Sequence, residues 1–219
     1  MALTKYNYNS FDVTPVASTT MAFNASADGL TTMSPSAMIL IKTLTADGSG
    51  TSLTFVNGTS DVVLDSTYPV YLFKFISIHP QTNDVELKVN FRDGGSSYDA
   101  TKTTTAFRAY HQESGSASGL AYQTGNDLGQ STAAQQIGQS GNDNDQCISG
   151  QLFLFNPSST TFVKHFIVES NYTDHGDESY HRFYSGYCNV TAAIDGVEFS
   201  ISSGNMDAGT IKLYGIKDS

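Results

Sequence analysis

QLFLFNPSSTTFVKHFIVES, residues 151–170, is the stretch whose reading decides the fold. Successive residues of a strand point to opposite sides, and Leu152, Phe153, Leu154 and Phe155 are apolar on both, so the segment reads as a core strand covered on both faces. Asn156-Pro157-Ser158-Ser159 supplies a turn, because proline lacks an amide donor while Asn and Ser bond back to nearby backbone. The return strand is expected from Thr160 to about Val168.

Outward from this hairpin, Pro69 to His79 (PVYLFKFISIH) is again apolar on both faces and is expected to pair with it as a second core strand. Val85, Leu87, Val89 and Phe91 alternate with Glu86, Lys88, Asn90 and Arg92, which puts one face in the core and one in water. Strands are also expected over 37–45, 51–56, 61–65, 102–110 and 180–190, with a closing pair at 197–202 and 209–216. Asn57-Gly58 favours a type I′ hairpin between 51–56 and 61–65. Residues 111–146 are rich in Gly, Ser, Asn and Gln, and predict a long polar excursion or brief helical turns near Ser131 to Ile137. About ten strands at hairpin-like spacing make the chain all-β, an antiparallel β-sandwich of the jelly-roll kind. One sandwich domain is expected over 37–219. Residues 1–36, whose apolar residues are sparse, are expected to form an N-terminal arm with short strands at Phe11 to Val16 and Thr20 to Phe23.

The 219 residues are enough to bury a sizeable core without staples. Only 15% are charged, and 11 basic against 21 acidic residues give a net charge of −10. The arginines, Arg92, Arg108 and Arg182, are scattered, so the basic footprint that nucleic acid or an anionic membrane requires is missing. No apolar run approaches a membrane span and no secretory leader is read at Met1 to Tyr6, so synthesis in the cytoplasm is expected. Cys147 and Cys188 are read as reduced buried thiols, with a single bridge as the alternative.

Two kinds of candidate site follow from side-chain chemistry. Asp174, His175, Asp177 and His181 lie within eight residues and carry metal-ligand chemistry. Their spacing matches no established ligand pattern, so a solvated acidic loop is the plainer reading and no cofactor is expected. Gly141 to Asp145 offers oxygen ligands but lacks the glycine and glutamate positions of a calcium loop. Tyr98, Tyr122, Tyr172 and Tyr184 stand in polar company, where a ring can stack on a sugar, anchor an interface or fill the rim of the sandwich. Neither a nucleophile elbow nor a phosphate-binding glycine loop is present, so no enzyme is expected.

Four segments carry a family resemblance: DSTYPVYLFKFISIHP (65–80), TKTTTAFRAYH (101–111), GQLFLFNPSSTTFVKHF (150–166) and SSGNMDAGTIKLYGIKDS (202–219). Together with the opening MALTKYNYNSFDV they resemble structural proteins of tailed phages of marine bacteria, cyanophages included. The resemblance implies a β-rich virion component, tail-associated as fibre, spike or baseplate, with capsid decoration on the head as the alternative and a glycan-binding module as a further one. It also implies self-association, as a homotrimer, with other virion proteins and a host surface glycan as further partners. It transfers no catalytic residue, because the shared motifs are core strands and turns.

Overall fold

The computed structural model describes residues 20–23, 30–33 and 37–217. Contacts divide the chain into two units, residues 1–39 and 40–219. In the first, β1 (Thr20–Phe23) and β2 (Leu30–Met33) pair as an antiparallel hairpin, which places a strand where Thr20 to Phe23 is expected to have one. The expected strand at Phe11 to Val16 lies outside the described residues.

The second unit is built of β3 (Met38–Thr45, its first two residues in the first unit), β4 (Ser52–Val56), β5 (Val70–Pro80), β6 (Val85–Arg92), β7 (Lys102–Gln112) and β8 (Ser118–Tyr122). It continues with β9 (Gln135–Ser140), β10 (Ile148–Phe155), β11 (Lys164–Thr173), β12 (Glu178–Cys188), β13 (Gly196–Ile201) and β14 (Met206–Ile216). One sheet has eight strands in the order β3-β14-β5-β10-β11-β12-β7-β8; the other has four, β4-β13-β6-β9. Every registered pairing in them is antiparallel, and the two sheets pack face to face as a β-sandwich. Sheets of eight and four strands do not reproduce the even division of an eight-stranded jelly roll, so the fold class holds at the level of the sandwich.

The core between the sheets is aromatic. Phe73 and Phe75 of β5 meet Phe199 of β13 at ring distances of 5.6 and 6.1 Å, Phe55 of β4 meets Phe73 at 5.3 Å, and Phe91 of β6 meets Phe166 of β11 at 4.8 Å. All of these rings are fully buried, each contributing roughly 1.5–3 kcal/mol of hydrophobic stabilisation. An exposed surface ion pair is worth at most about 1 kcal/mol, so the apolar rings, not charges such as Glu86–Lys88, hold the sheets together.

The 151–170 hairpin is present as β10 and β11, and β5 pairs β10 through Phe73↔Leu152 and Leu72↔Phe153, as the matching apolar runs predict. The return strand begins at Lys164 rather than Thr160, because Ser159 Oγ accepts from the amides of Thr161 and Phe162 and extends the turn. The expected cover on both faces is found on one. Leu152 and Leu154 are fully buried, whereas Phe153 and Phe155 are half-buried and Ile167 is 47% exposed on the side away from the small sheet.

Three local expectations are corrected. The Asn57-Gly58 hairpin is absent: Gly58 has φ +75° and Ser60 and Asp61 also lie at positive φ, so a wider loop closes by Gly58 N to Val62 O and Val62 N to Thr59 O. β4 therefore pairs β13, and residues 61–64 form no strand. Likewise β14 does not return against β13 across the turn expected at Asn205 to Ala208; the connection is Ser202 to Asn205, and it carries the chain to the large sheet, where β14 pairs β5. Residues 111–146 hold β8 and β9 instead of a free excursion or helical turns. β9 is polar yet buried because its amides find partners inside: Thr104 Oγ1 donates to Gln135 Oε1 at 2.6 Å and Gln135 Nε2 donates to Asn126 O at 2.8 Å.

Candidate functional site: the outer face of the large sheet

Strand alternation that sends Leu152, Leu154, Phe166, Val168 and Tyr184 into the core sends Phe153, Phe155, Ile167, Phe183 and Tyr187 outward. The registers set these outward residues in rows across the sheet. One row runs Tyr214, Leu72, Phe153, Ile167, Ser185; the next runs Lys212, Lys74, Gln151, Glu169, Phe183, Phe107, Tyr122. Leu72, flanked in register by Tyr214 and Phe153, is 4% exposed. At the other end of the face Phe107 stacks on Phe183 at 4.8 Å and 14°, and His181 lies 4.2 Å from the Phe183 ring.

Two shallow hollows interrupt the face. One, of about 450 Å³, is walled by Phe155, His165, Ile167 and Tyr187 above Gly186, and the other, of about 480 Å³, by Lys74, Gln151, Glu169 and His181 above Gly150. The charges on the face are few and unevenly paired. Glu169 takes a hydrogen bond from Gln151 Nε2 at 3.2 Å and sits 2.9 Å from His181 Nε2. Lys74 and Lys212 stand directly opposite one another in the register, and neither has an ion-pair partner among the described residues.

The tyrosines singled out by sequence do not converge. Tyr172 and Tyr184 are sealed in the core beside Arg182, whose Nη1 donates to Tyr184 Oη at 3.1 Å, and burial raises both phenols above their ordinary range. They present no ring to solvent. Tyr98 is half-buried, and burial pushes its phenol up as well. Tyr122 lies on the edge strand β8, 51% exposed, and donates to Asp127 Oδ2 at 2.7 Å. A cation–π ladder that composition did not disclose runs beside them inside the sandwich. Arg108 lies over Tyr110 and Tyr180 at 5.2 and 4.9 Å, and Arg182 over Tyr172 and Tyr180 at 5.4 and 5.5 Å. Burial, together with the hydrogen bond to Glu178, pushes the Tyr180 phenol up to about 12.

The four metal candidates are spread apart. Asp174 Oδ1 accepts from the amides of Gly176 and Glu178, closing its own turn; His175 pairs with Asp84 at 3.0 Å; Asp177 accepts from Gln146; and His181 faces outward with Glu169. Among the described residues no three His, Cys, Asp or Glu side chains are grouped to hold an ion. In the 141–146 loop Asn142 Nδ2 donates to Gln81 O and Gln146 N to Asp143 O, so this segment closes as a turn. Cys147 and Cys188 are both free thiols, the second fully buried.

Fold and site together define an antiparallel β-sandwich whose larger sheet keeps an apolar, sparsely charged face turned away from its own core. No family model, curated protein or solved structure matches the chain.

Proposed function

We propose that this chain is a non-enzymatic structural protein of a tailed-phage virion, tail-associated and working by contact with copies of itself and with neighbouring virion proteins. The observation that carries the reading is the outer face of the large sheet. A contiguous apolar patch of this kind marks a contact surface far more often than bare solvent-facing protein. Phe107 at 43%, Ile167 at 47% and Tyr122 at 51% exposure give it rings and branches that lose water on contact. The resemblance of the core segments to marine phage structural proteins supplies the setting. The depressions on this face are shallow, and the flat, ring-rich surface suits a protein partner better than a small substrate.

The experiment is to purify particles from infected cells, identify the protein by mass spectrometry and locate it by labelling with an antibody raised against the sandwich. Copies at the tail are expected. Labels spread over the head would replace the tail assignment with capsid decoration, and absence of the protein from intact particles would overturn the virion reading altogether.

A further inference from the structure

We infer that the outer face of the large sheet is the interface of a twofold dimer, with a second copy of this chain as its occupant and the symmetry axis running along β10. This rests on the contact reading above and names the partner, with a dimer in place of the homotrimer expected from the sequence. The argument begins with the strand order β14-β5-β10-β11-β12. A twofold axis lying in the interface parallel to β10 keeps each row at its own level and reverses it from side to side, so β5 comes to face β11 of the other copy and β14 comes to face β12.

Applied to the observed registers, this operation matches the face to itself. In one row Phe153 meets Phe153 of the second copy on the axis, with the exposed Ile167 of each copy on either side of it. In the next row Gln151 lies on the axis and Lys74 meets Glu169. Lys212, one strand further out, comes over the ring of Phe183, where a lysine ammonium is attracted by the aromatic face. The lysines that stand side by side within one copy, an unfavourable like-charge arrangement, thus acquire a carboxylate and an aromatic ring across the interface. Centring the axis on β5 or on β11 loses this charge match. With β5 as the axis Lys74 meets itself, and with β11 as the axis Glu169 does.

The dimensions are adequate. Five strands about 4.8 Å apart and four rows about 6.8 Å apart outline roughly 650 Å² per copy. A stable interface takes about 800 Å² of accessible surface from each partner, and accessible area exceeds the flat outline. Face-packed sheets cross at about 30°, a rotation that leaves rows near the axis in register. An isologous contact also closes on itself, leaving no repeating apolar face to grow into a fibre.

The test is sedimentation velocity on the full chain from nanomolar to tens of micromolar. The wild type is expected to shift from monomer to dimer with concentration. Lys74→Glu and Glu169→Lys each weaken the dimer at least about tenfold by setting like charges opposed, and the double variant recovers to within about threefold of wild type by reversing the pair. Circular dichroism of each variant checks that the sandwich is intact. Independently of charge, Phe153→Cys in a Cys147→Ser background should be linked to itself by a short bismaleimide, while Ser185→Cys, two strands off the axis, should not. A monomer at all concentrations, a trimer, or a dimer that neither charge swap weakens overturns the inference. None of these outcomes bears on whether the protein is found in particles.

Discussion

Lys164, Cys188 and Lys102 form a row across β11, β12 and β7, all facing the core and all with no exposed surface. The two lysines solve burial differently. Lys164 Nζ donates to the carbonyls of Ser159 at 3.2 Å, Val190 at 2.7 Å and Ala192, which matches its three hydrogens with three acceptors. Lys102 Nζ reaches one carbonyl, Ala133 O, at 2.8 Å, and burial lowers it to about 8. Burial pushes the Cys188 thiol the other way, up to about 12. In the unfolded chain Lys102 keeps its proton to about pH 10.4, so above pH 8 the unfolded state holds more protons than the folded one and stability rises with pH. Cys188 opposes this from about pH 8 upward, where the unfolded thiol, with its ordinary pKa of about 8.5, ionises and the folded one does not. In a Cys188→Ala background the lysine effect is unopposed, and urea unfolding should show a gain of about 1 kcal/mol between pH 8 and 9, against only a few tenths of that in the wild type. Lys102→Met should lose most of the gain; an equal gain in the variant would show that Lys102 is not its source. No sequence signal marks either lysine as buried, because the pattern that places them inward is strand parity, and lysine at an inward position ordinarily reads as a strand end.

Among the elements, those that carry two apolar faces were legible and those that carry none were not. β5, β10 and β11 follow from Val70 to Phe75, Leu152 to Phe155 and Phe166 to Val168, since β-branched and aromatic side chains fit a pleated surface on either side. β9 was illegible because Gln135, Gln136 and Ser140 are polar, and only their internal hydrogen bonds, which depend on the folded chain, make burial tolerable. The outer face was legible in composition and misread in consequence: Phe153 and Phe155 predict a cover, and within the sandwich that cover lies on one side. The β10–β11 pair also contains a test of how closely the strands are packed. A Cβ on Gly150 would stand 2.3 Å from Glu169 O and 2.6 Å from the Phe75 ring, with backbone on one side and a sealed core ring on the other. Gly150→Ala should therefore destabilise the protein by about 1–3 kcal/mol, the usual penalty of overpacking, seen as a lower urea midpoint with an unchanged slope. An unchanged midpoint would mean that β10 can move away from β11 freely.

For the molecule as a whole, the order in which the chain visits the two sheets decides how it unfolds. β3 lies in the large sheet, β4 in the small, β5 in the large, β6 in the small, β7 and β8 in the large, β9 in the small, β10 to β12 in the large, β13 in the small and β14 in the large. Each strand of the small sheet is thus inserted between strands of the large one, and no continuous segment contains both halves of its own core. Turns that read locally as hairpins, such as the one before Met206, are crossings between layers, which is why the strand was found in the sequence while its partner there was not; the pairs β10–β11 and β5–β10, which stay in one sheet, were legible. The last strand shows the consequence most sharply. β14 lies between β3 and β5, and it brings Met206, Ile211 and Leu213, all but fully buried, to the core. Ending the chain at Asn205 would remove those side chains, strip the amide and carbonyl partners from one side of β5 and leave an apolar edge open to other chains. The expected result is loss of the whole sandwich rather than of one strand: no cooperative urea transition, no near-ultraviolet circular dichroism from the buried tyrosines, and aggregation on expression. A soluble truncated chain that unfolds cooperatively near the wild-type midpoint would show that the two layers close without their last strand, and that the alternation between sheets does not couple them.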